Sequence, residues 1–168
     1  MDQSIRTAEL RWDALTAALS AEGIDWQNAG AIHLAVVNEP YLRFILQGQK
    51  TIESRFAMHR TAPYRQVSPG DIVLMKRAGQ AVQSYFIAGE AIYYESTPEI
   101  LGRLRETYSE AICADADFWR VRADNRYITH IPIRTVGRMQ TPLAVVKRDK
   151  RAWVTIPKAP EIMRSVDS

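Results

Sequence analysis

The chain has 168 residues, enough for one domain with a small additional element and too few for a second full enzyme domain. With 46% hydrophobic and 24% charged residues it can bury a core, and eight glycines and eight prolines exclude collagen-like or linker-like character. The net charge of +3 is too small to prove a nucleic-acid partner by itself.

The charge is unevenly spread. Residues 1–30 hold Arg6 and Arg11 against Asp2, Glu9, Asp13, Glu22 and Asp25, a net −3 that leaves +6 for the rest. Between 39 and 77, Arg43, Lys50, Arg55, Arg60, Arg65, Lys76 and Arg77 face Glu39, Glu53 and Asp71, a local excess of +4. The single Cys113 excludes an intramolecular disulfide and a Cys-x-x-Cys zinc or redox pair. Met1-Asp2-Gln3 lacks the basic and apolar regions of a signal peptide, and no stretch reaches the roughly 18 apolar residues of a membrane span. A reducing cytoplasm is the expected compartment, with no membrane partner.

Ile5, Ala8, Trp12, Leu15 and Leu19 recur at spacings of three and four, which predicts an amphipathic helix closed by Gly23. This makes 1–30 a helical appendage packed on a main domain of 31–168. The apolar run Ile32 to Val37 ends at Asn38, a candidate cap for a helix from Tyr41 to about Gln47 that Gly48 closes. Thr51 to Phe56 reads as a strand, and Ser68-Pro69-Gly70-Asp71 as a turn before the strand Ile72 to Met75. Ala78-Gly79-Gln80 connects it to a long strand from Val82 to Tyr94. Thr97 and Pro98 open a helix containing Ile100, Leu101 and Leu104, and a second helix covers 109–121, with Cys113 on its apolar side. Tyr127 to Val136, an edge or bulged strand because of Pro132, and Ala152 to Ile156 complete a small mixed-sheet barrel in an α+β fold.

The segment Gly48-Gln49-Lys50-Thr51-Ile52-Glu53-Ser54-Arg55 carries the chemistry. In an extended strand Thr51, Glu53 and Arg55 share one face, with Glu53 and Arg55 about 6.5–7 Å apart along it. Lys50 leans over the same place. Alternation along the long strand puts Glu90 in the row of Val82, Ser84, Phe86 and Ala88, where a carboxylate needs a partner such as Lys50 or Arg55. A bulge at Gly89 would reverse that assignment. The group admits three readings: a structural Lys–Glu–Arg clasp, a ligand cleft, or a catalytic site in which the cations stabilise a phosphoryl centre and Glu53 or Glu90 handles a proton.

The Gly-x-Lys-x-x-Glu-x-Arg pattern, with a helix before it and a Pro-Gly-Asp turn and strand after it, resembles the ASCH domain family of the PUA-like superfamily over roughly residues 31–140. The resemblance implies a small β-barrel with flanking helices, a cleft lined by the motif, and RNA binding or coactivator-type roles. Some members hydrolyse N4-acetylcytidine with a motif lysine, a threonine three residues later and a strand glutamate. Lys50 and Glu90 match two of these positions, whereas Glu53 occupies the threonine position and removes the hydroxyl nucleophile. Other members are ribonucleases that depend on the lysine matching Lys50.

The loop His59 to Gln66 interleaves Arg60 and Arg65 with Tyr64, a composition suited to phosphates and a stacked base, or to an ordinary solvated loop. Tyr41 and Phe44 offer further stacking, and Lys76 further charge. Lys147-Arg148-Asp149-Lys150-Arg151 reads as a solvated turn. His33 reads as a core or edge residue, and His59 and His130 lack metal-ligand spacing, so neither metal nor cofactor is indicated. The expected partner is RNA, single-stranded or modified, bound by Lys50, Arg55, Arg60, Tyr64, Arg65 and Lys76. Lys50, Glu53 and Glu90 are the catalytic candidates, and the N-terminal helix is a candidate protein contact.

Overall fold

The computed structural model describes residues 5–6, 11–146 and 150–159. In chain order these are β1 (Ile5–Arg6), α1 (Trp12–Ala21), β2 (Ala31–Val36), α2 (Tyr41–Leu46), β3 (Ile52–Ala57), β4 (Ile72–Lys76), β5 (Val82–Ala88), β6 (Ile92–Glu95), α3 (Pro98–Ile112), α4 (Ala116–Arg122), β7 (Tyr127–Leu143), β8 (Val145–Val146) and β9 (Trp153–Pro157). The main sheet runs β3-β7-β5-β4-β2-β9, with β6 also on β7, and β1 pairs with β8 in a small second sheet. β2 and β4 are parallel, and the other pairs of the main sheet are antiparallel. The sheet curls into a half-barrel: Arg55 on one terminal strand, β3, lies 5.1 Å over the ring of Trp153 on the other, β9.

Alternation along the central strands sorts side chains into two apolar layers. Ile32 and Leu34 of β2 and Ile72 and Leu74 of β4 face α1, where Trp12, Leu15 and Leu19 are buried. Ala35, Val73, Met75 and Phe86 face inward with Leu42 and Ile45 of α2. A third cluster packs Leu104, Ile112, Phe118 and Trp119 of α3 and α4 against Ile128 of β7.

Several expectations need correction. The N-terminal helix starts at Trp12, because Ile5 lies in a strand pair with Val145, and Ala8 lies outside the described residues. As expected, the apolar stripe of that helix packs on this chain's own sheet, which leaves its polar face for any protein contact. Asn38 caps α2 with its backbone carbonyl, which accepts from Tyr41 and Leu42, and not with its side chain. Helix α3 continues through Ile112, and Cys113 ends it in the left-handed region (φ 61°), half-buried and outside any helix. Of the two readings of the Pro132 strand, the bulged one holds and the edge one does not: the strand is flanked on both sides and Pro132 lies beside a bulge.

That bulge decides the fate of Glu90. Ala88 pairs with Ile133 and Ile92 with His130, so the three residues Gly89 to Ala91 oppose two residues of β7. Gly89 N–H donates to the Pro132 carbonyl at 2.7 Å, and a Cβ at Gly89 would approach the Pro132 side chain to 3.0 Å. The ladder breaks here because Pro132 has no N–H to donate and nothing larger than glycine fits opposite it at position 89. The predicted long strand is therefore β5 and β6 in series, and Glu90 is turned out into solvent.

Two buried polar groups hold the sheet. Asp71 accepts from Gly30 N and Ala31 N at 3.1 Å through Oδ1, and from Ser68 N at 3.0 Å and His33 Nε2 at 2.8 Å through Oδ2. Trp153 Nε1 donates to His33 Nδ1 at 3.0 Å, which puts the ring proton on Nε2, facing Asp71. Asp71→Asn keeps the size but turns an NH2 toward donors, and it is expected to lower stability by about 2 kcal/mol in urea denaturation. An unchanged midpoint would remove this cluster from the account of stability.

His130 on β7 lies between Tyr94 and Tyr108, with ring centroids at 5.5 and 5.2 Å. Burial, reinforced by the Lys50 ammonium and opposed by Glu53, pushes its pKa from 6.5 down to about 4. Between those values the unfolded chain takes up a proton that the folded one refuses. Stability is thus fully present above pH 6.5 and declines as pH falls toward 4. Urea melts at pH 7 and 4.5 are expected to differ by roughly 2 kcal/mol more in the wild type than in His130→Phe.

Candidate ligand cleft at the edge of β3

Backbone geometry delivers the motif. Gly48 adopts φ 76° after α2, and the N–H groups of Gln49 and Lys50 then both donate to the Phe44 carbonyl, at 2.9 and 3.0 Å. The end of α3 grips the next step: Thr51 N donates to the Ala111 carbonyl at 2.8 Å, and Lys50 Nζ to the Ile112 carbonyl at 2.9 Å. An ammonium at a helix C-terminus meets the negative end of the helix dipole. Lys50 is 2% exposed, and its Nζ lies 5.4 Å over the Tyr41 ring. Burial lowers its pKa, with Glu53 opposing the shift. The neighbouring Cys113 thiol has its pKa raised by burial, which disfavours the nucleophilic thiolate.

Glu53 and Arg55 share a face as the alternation predicts. Glu53 Oε1 accepts from Ser54 N at 2.9 Å and lies 3.6 Å from Arg55 Nε. An Arg55 Nη donates to the Val36 carbonyl at 2.9 Å, tying β3 to β2. Three buried atoms in this run have no hydrogen-bond partner among the described residues: Glu53 Oε2, Ser54 Oγ and Arg55 Nε.

Around them opens a cleft of about 320 Å³. Lys50, Glu53, Ser54, Arg55 and Phe56 line it from the motif, Val36 to Asn38 from the end of β2, and Tyr41 from α2. Phe118, Arg122 and Asn125 complete it from α4 and the turn after it. The aromatic wall is built of edge contacts, with Tyr41 and Phe56 at 5.9 and 5.6 Å from Phe118. The Arg122 guanidinium lies 3.8 Å from the Phe118 ring centroid. Three cations, Lys50, Arg55 and Arg122, thus face one carboxylate.

The remaining candidates fall elsewhere. Glu90 is exposed at the bulge and does not line the cleft. Lys76 is 4% exposed, with Nζ 3.4 Å from the Val145 carbonyl, because it ends the wholly buried strand β4. Tyr64 is only 5% exposed, its ring packed against Tyr93 and Tyr127 where the 61–66 turn folds back on the sheet. Arg60 and Arg65 are exposed on that loop; Arg60 pairs with Glu95 at 3.1 Å, and Arg65 lies 5.5 Å over the Tyr64 ring. Of the basic run 147–151, Lys147, Arg148 and Asp149 lie outside the described residues, and Lys150 and Arg151 are exposed. Sequence reasoning missed Phe118, Arg122, Asn38 and Asn125. The available signal was Asp115, whose side chain accepts from Phe118 N at 2.8 Å: a helix starting there puts Phe118 and Arg122 four apart on one face. Among the described residues no group of three or more His, Cys, Asp or Glu side chains could hold a metal ion, and no helix is long and apolar enough to cross a membrane.

No family model matches the sequence, and no curated protein matches it significantly. Solved structures do resemble it. An ASCH protein from Zymomonas mobilis superposes with a TM-score of 0.53 at 14% identity, covering 67% of this chain and 73% of that one. A tyrosine-to-phenylalanine variant of that protein gives 0.52 at 12% identity over 67% of this chain and 75% of its own. A DUF984 protein from Enterococcus faecalis V583 gives 0.50 at 9% identity, covering 76% of this chain and 92% of that one. At these identities the likeness is one of fold: the chain is an α+β half-barrel with flanking helices, of the ASCH type.

Proposed function

We propose that this chain binds RNA, taking one nucleotide of a single strand into the cleft at the edge of β3. The supporting observation is the lining of that cleft: Glu53, Ser54 and Arg55, each with a buried polar atom that lacks a hydrogen bond among the described residues, beside a wall of Tyr41, Phe56 and Phe118. A nucleobase needs both parts, since its edge is read by donors and acceptors and its face by apolar rings. About 320 Å³ is near the lower limit for a ligand pocket, which suits a single nucleoside and not a duplex. Lys50, Arg55 and Arg122 give the phosphates their countercharge, and the exposed Arg60 and Arg65 add positive charge on the 59–66 loop. The ASCH-type fold supports the reading, and a free thiol at Cys113 suits the cytoplasm.

Fluorescence anisotropy with a short labelled single-stranded RNA tests this. Affinity is expected to fall with rising salt, and Tyr41→Ala and Arg122→Ala each to weaken it by about tenfold. Binding that is absent, or that ignores salt, would overturn the proposal.

A second reading, hydrolysis of RNA or of a modified nucleoside, draws support from Lys50. A buried amine with a lowered pKa is a better proton acceptor near neutral pH than a surface lysine, and Glu53 stands within its field. With Glu90 in solvent, this chemistry rests on Lys50 and Glu53. Mass spectrometry of RNA and acylated nucleosides after incubation is expected to reveal a product with wild type and none with folded Lys50→Met. No product with either protein would remove the catalytic reading and leave binding.

A further inference from the structure

A second cleft of about 540 Å³ abuts the first. It occupies the open seam of the half-barrel, between β3 and β9, which end the strand order of the main sheet. Arg55 and Phe56 line both clefts and form the wall between them. We infer that the second cleft holds the nucleotide adjoining the one in the first, so that the ligand is an RNA of at least two nucleotides whose linking phosphodiester lies against Arg55. This inference rests on the RNA reading and gives it a minimum ligand and a path.

Three observations carry it. First, the second cleft has the lining of a nucleoside site: the rings of Tyr127 and Trp153 beside the hydrogen-bonding side chains of Thr61, Gln66 and Thr155. Second, its charge suits a polyanion. Arg55 and Arg151 line it, and no acidic side chain does so among the described residues. Third, Arg55 is fixed at the junction by the Val36 carbonyl and the Trp153 ring, while its buried Nε has no hydrogen-bond partner among the described residues. Glu53 Oε1 lies 3.6 Å from that Nε, an ion-pair distance but too long for a hydrogen bond, so a guanidinium locked on one side keeps hydrogen-bonding capacity for the phosphate joining two nucleosides seated to either side of it.

The test uses calorimetric titration of the full chain with nucleoside 5′-monophosphates and with 5′-phosphorylated RNA dinucleotides of the same bases. Two variants block the second cleft alone: Thr61→Trp and Ala152→Trp, both at exposed positions absent from the first cleft. In wild type the best dinucleotide is expected to bind at least about tenfold tighter than its best mononucleotide, the factor one added stacked base supplies. In each blocked variant the dinucleotide should fall to mononucleotide level while mononucleotide affinity stays unchanged, which also shows that the variant is folded. Equal affinity of mono- and dinucleotides in wild type, or a dinucleotide advantage that survives in the blocked variants, would overturn the inference and leave the one-nucleotide reading standing. Failure of wild type to bind either ligand would overturn both.

Discussion

The site depends on burying the Lys50 ammonium. An ammonium removed from water needs strong compensation, and here it comes from a helix terminus: the Ile112 carbonyl accepts its hydrogen bond and the Tyr41 ring lies under it. This one group joins three elements. It fixes the end of α3 against the start of β3, it orients Tyr41 on α2, and its charge helps to keep His130 unprotonated behind the sheet. The aromatic wall follows, because Cys113 ends α3 beside Lys50 and the chain then turns into α4, bringing Phe118 and Arg122 over the motif. A glutamine at position 50 would keep a donor but lose the charge that the end of α3 attracts.

Arg55 plays the corresponding part for the sheet. The half-barrel leaves β3 and β9 without mutual pairing, and Arg55 spans the gap by bonding a β2 carbonyl and lying over a β9 ring. Such a bridge leaves room on both of its sides, which backbone pairing would close. The two clefts are therefore consequences of how the sheet closes: one lies at the motif end of the seam and the other along it.

Much of this was legible in the sequence, and the failures have local causes. Thr97 followed by Pro98 identified the start of α3, where Thr97 Oγ1 accepts from Ile100 N at 3.2 Å, because capping depends on a few adjacent residues. The shared face of Glu53 and Arg55 followed from strand alternation alone. Glu90 was misplaced because alternation holds only until a bulge, and this bulge is imposed by Pro132, some forty residues away in sequence. The burial of Tyr64 and Lys76 was not legible because composition cannot tell which polar side chain a turn or a buried strand end will cover. Ile5 fitted the helical period, yet it pairs with Val145, a long-range choice that periodicity cannot register.

The contrast between two of the buried polar clusters, Asp71–His33 and the motif, bears on whether the motif is a structural clasp. Around Asp71 both carboxylate oxygens are used, and His33 is bonded at each ring nitrogen. That is the pattern of a group selected to hold a fold, since an orphaned buried polar atom forfeits about 1–3 kcal/mol. The motif does the opposite. Within three consecutive residues, Glu53, Ser54 and Arg55 each leave a buried polar atom without a hydrogen-bond partner among the described residues, and all three line the same cleft. A clasp gains nothing from that arrangement. A binding site does, because a ligand carrying both donors and acceptors recovers the lost hydrogen bonds on arrival and an apolar one does not. The unsatisfied atoms therefore weigh toward recognition of a polar, planar ligand and against a purely structural role for the motif.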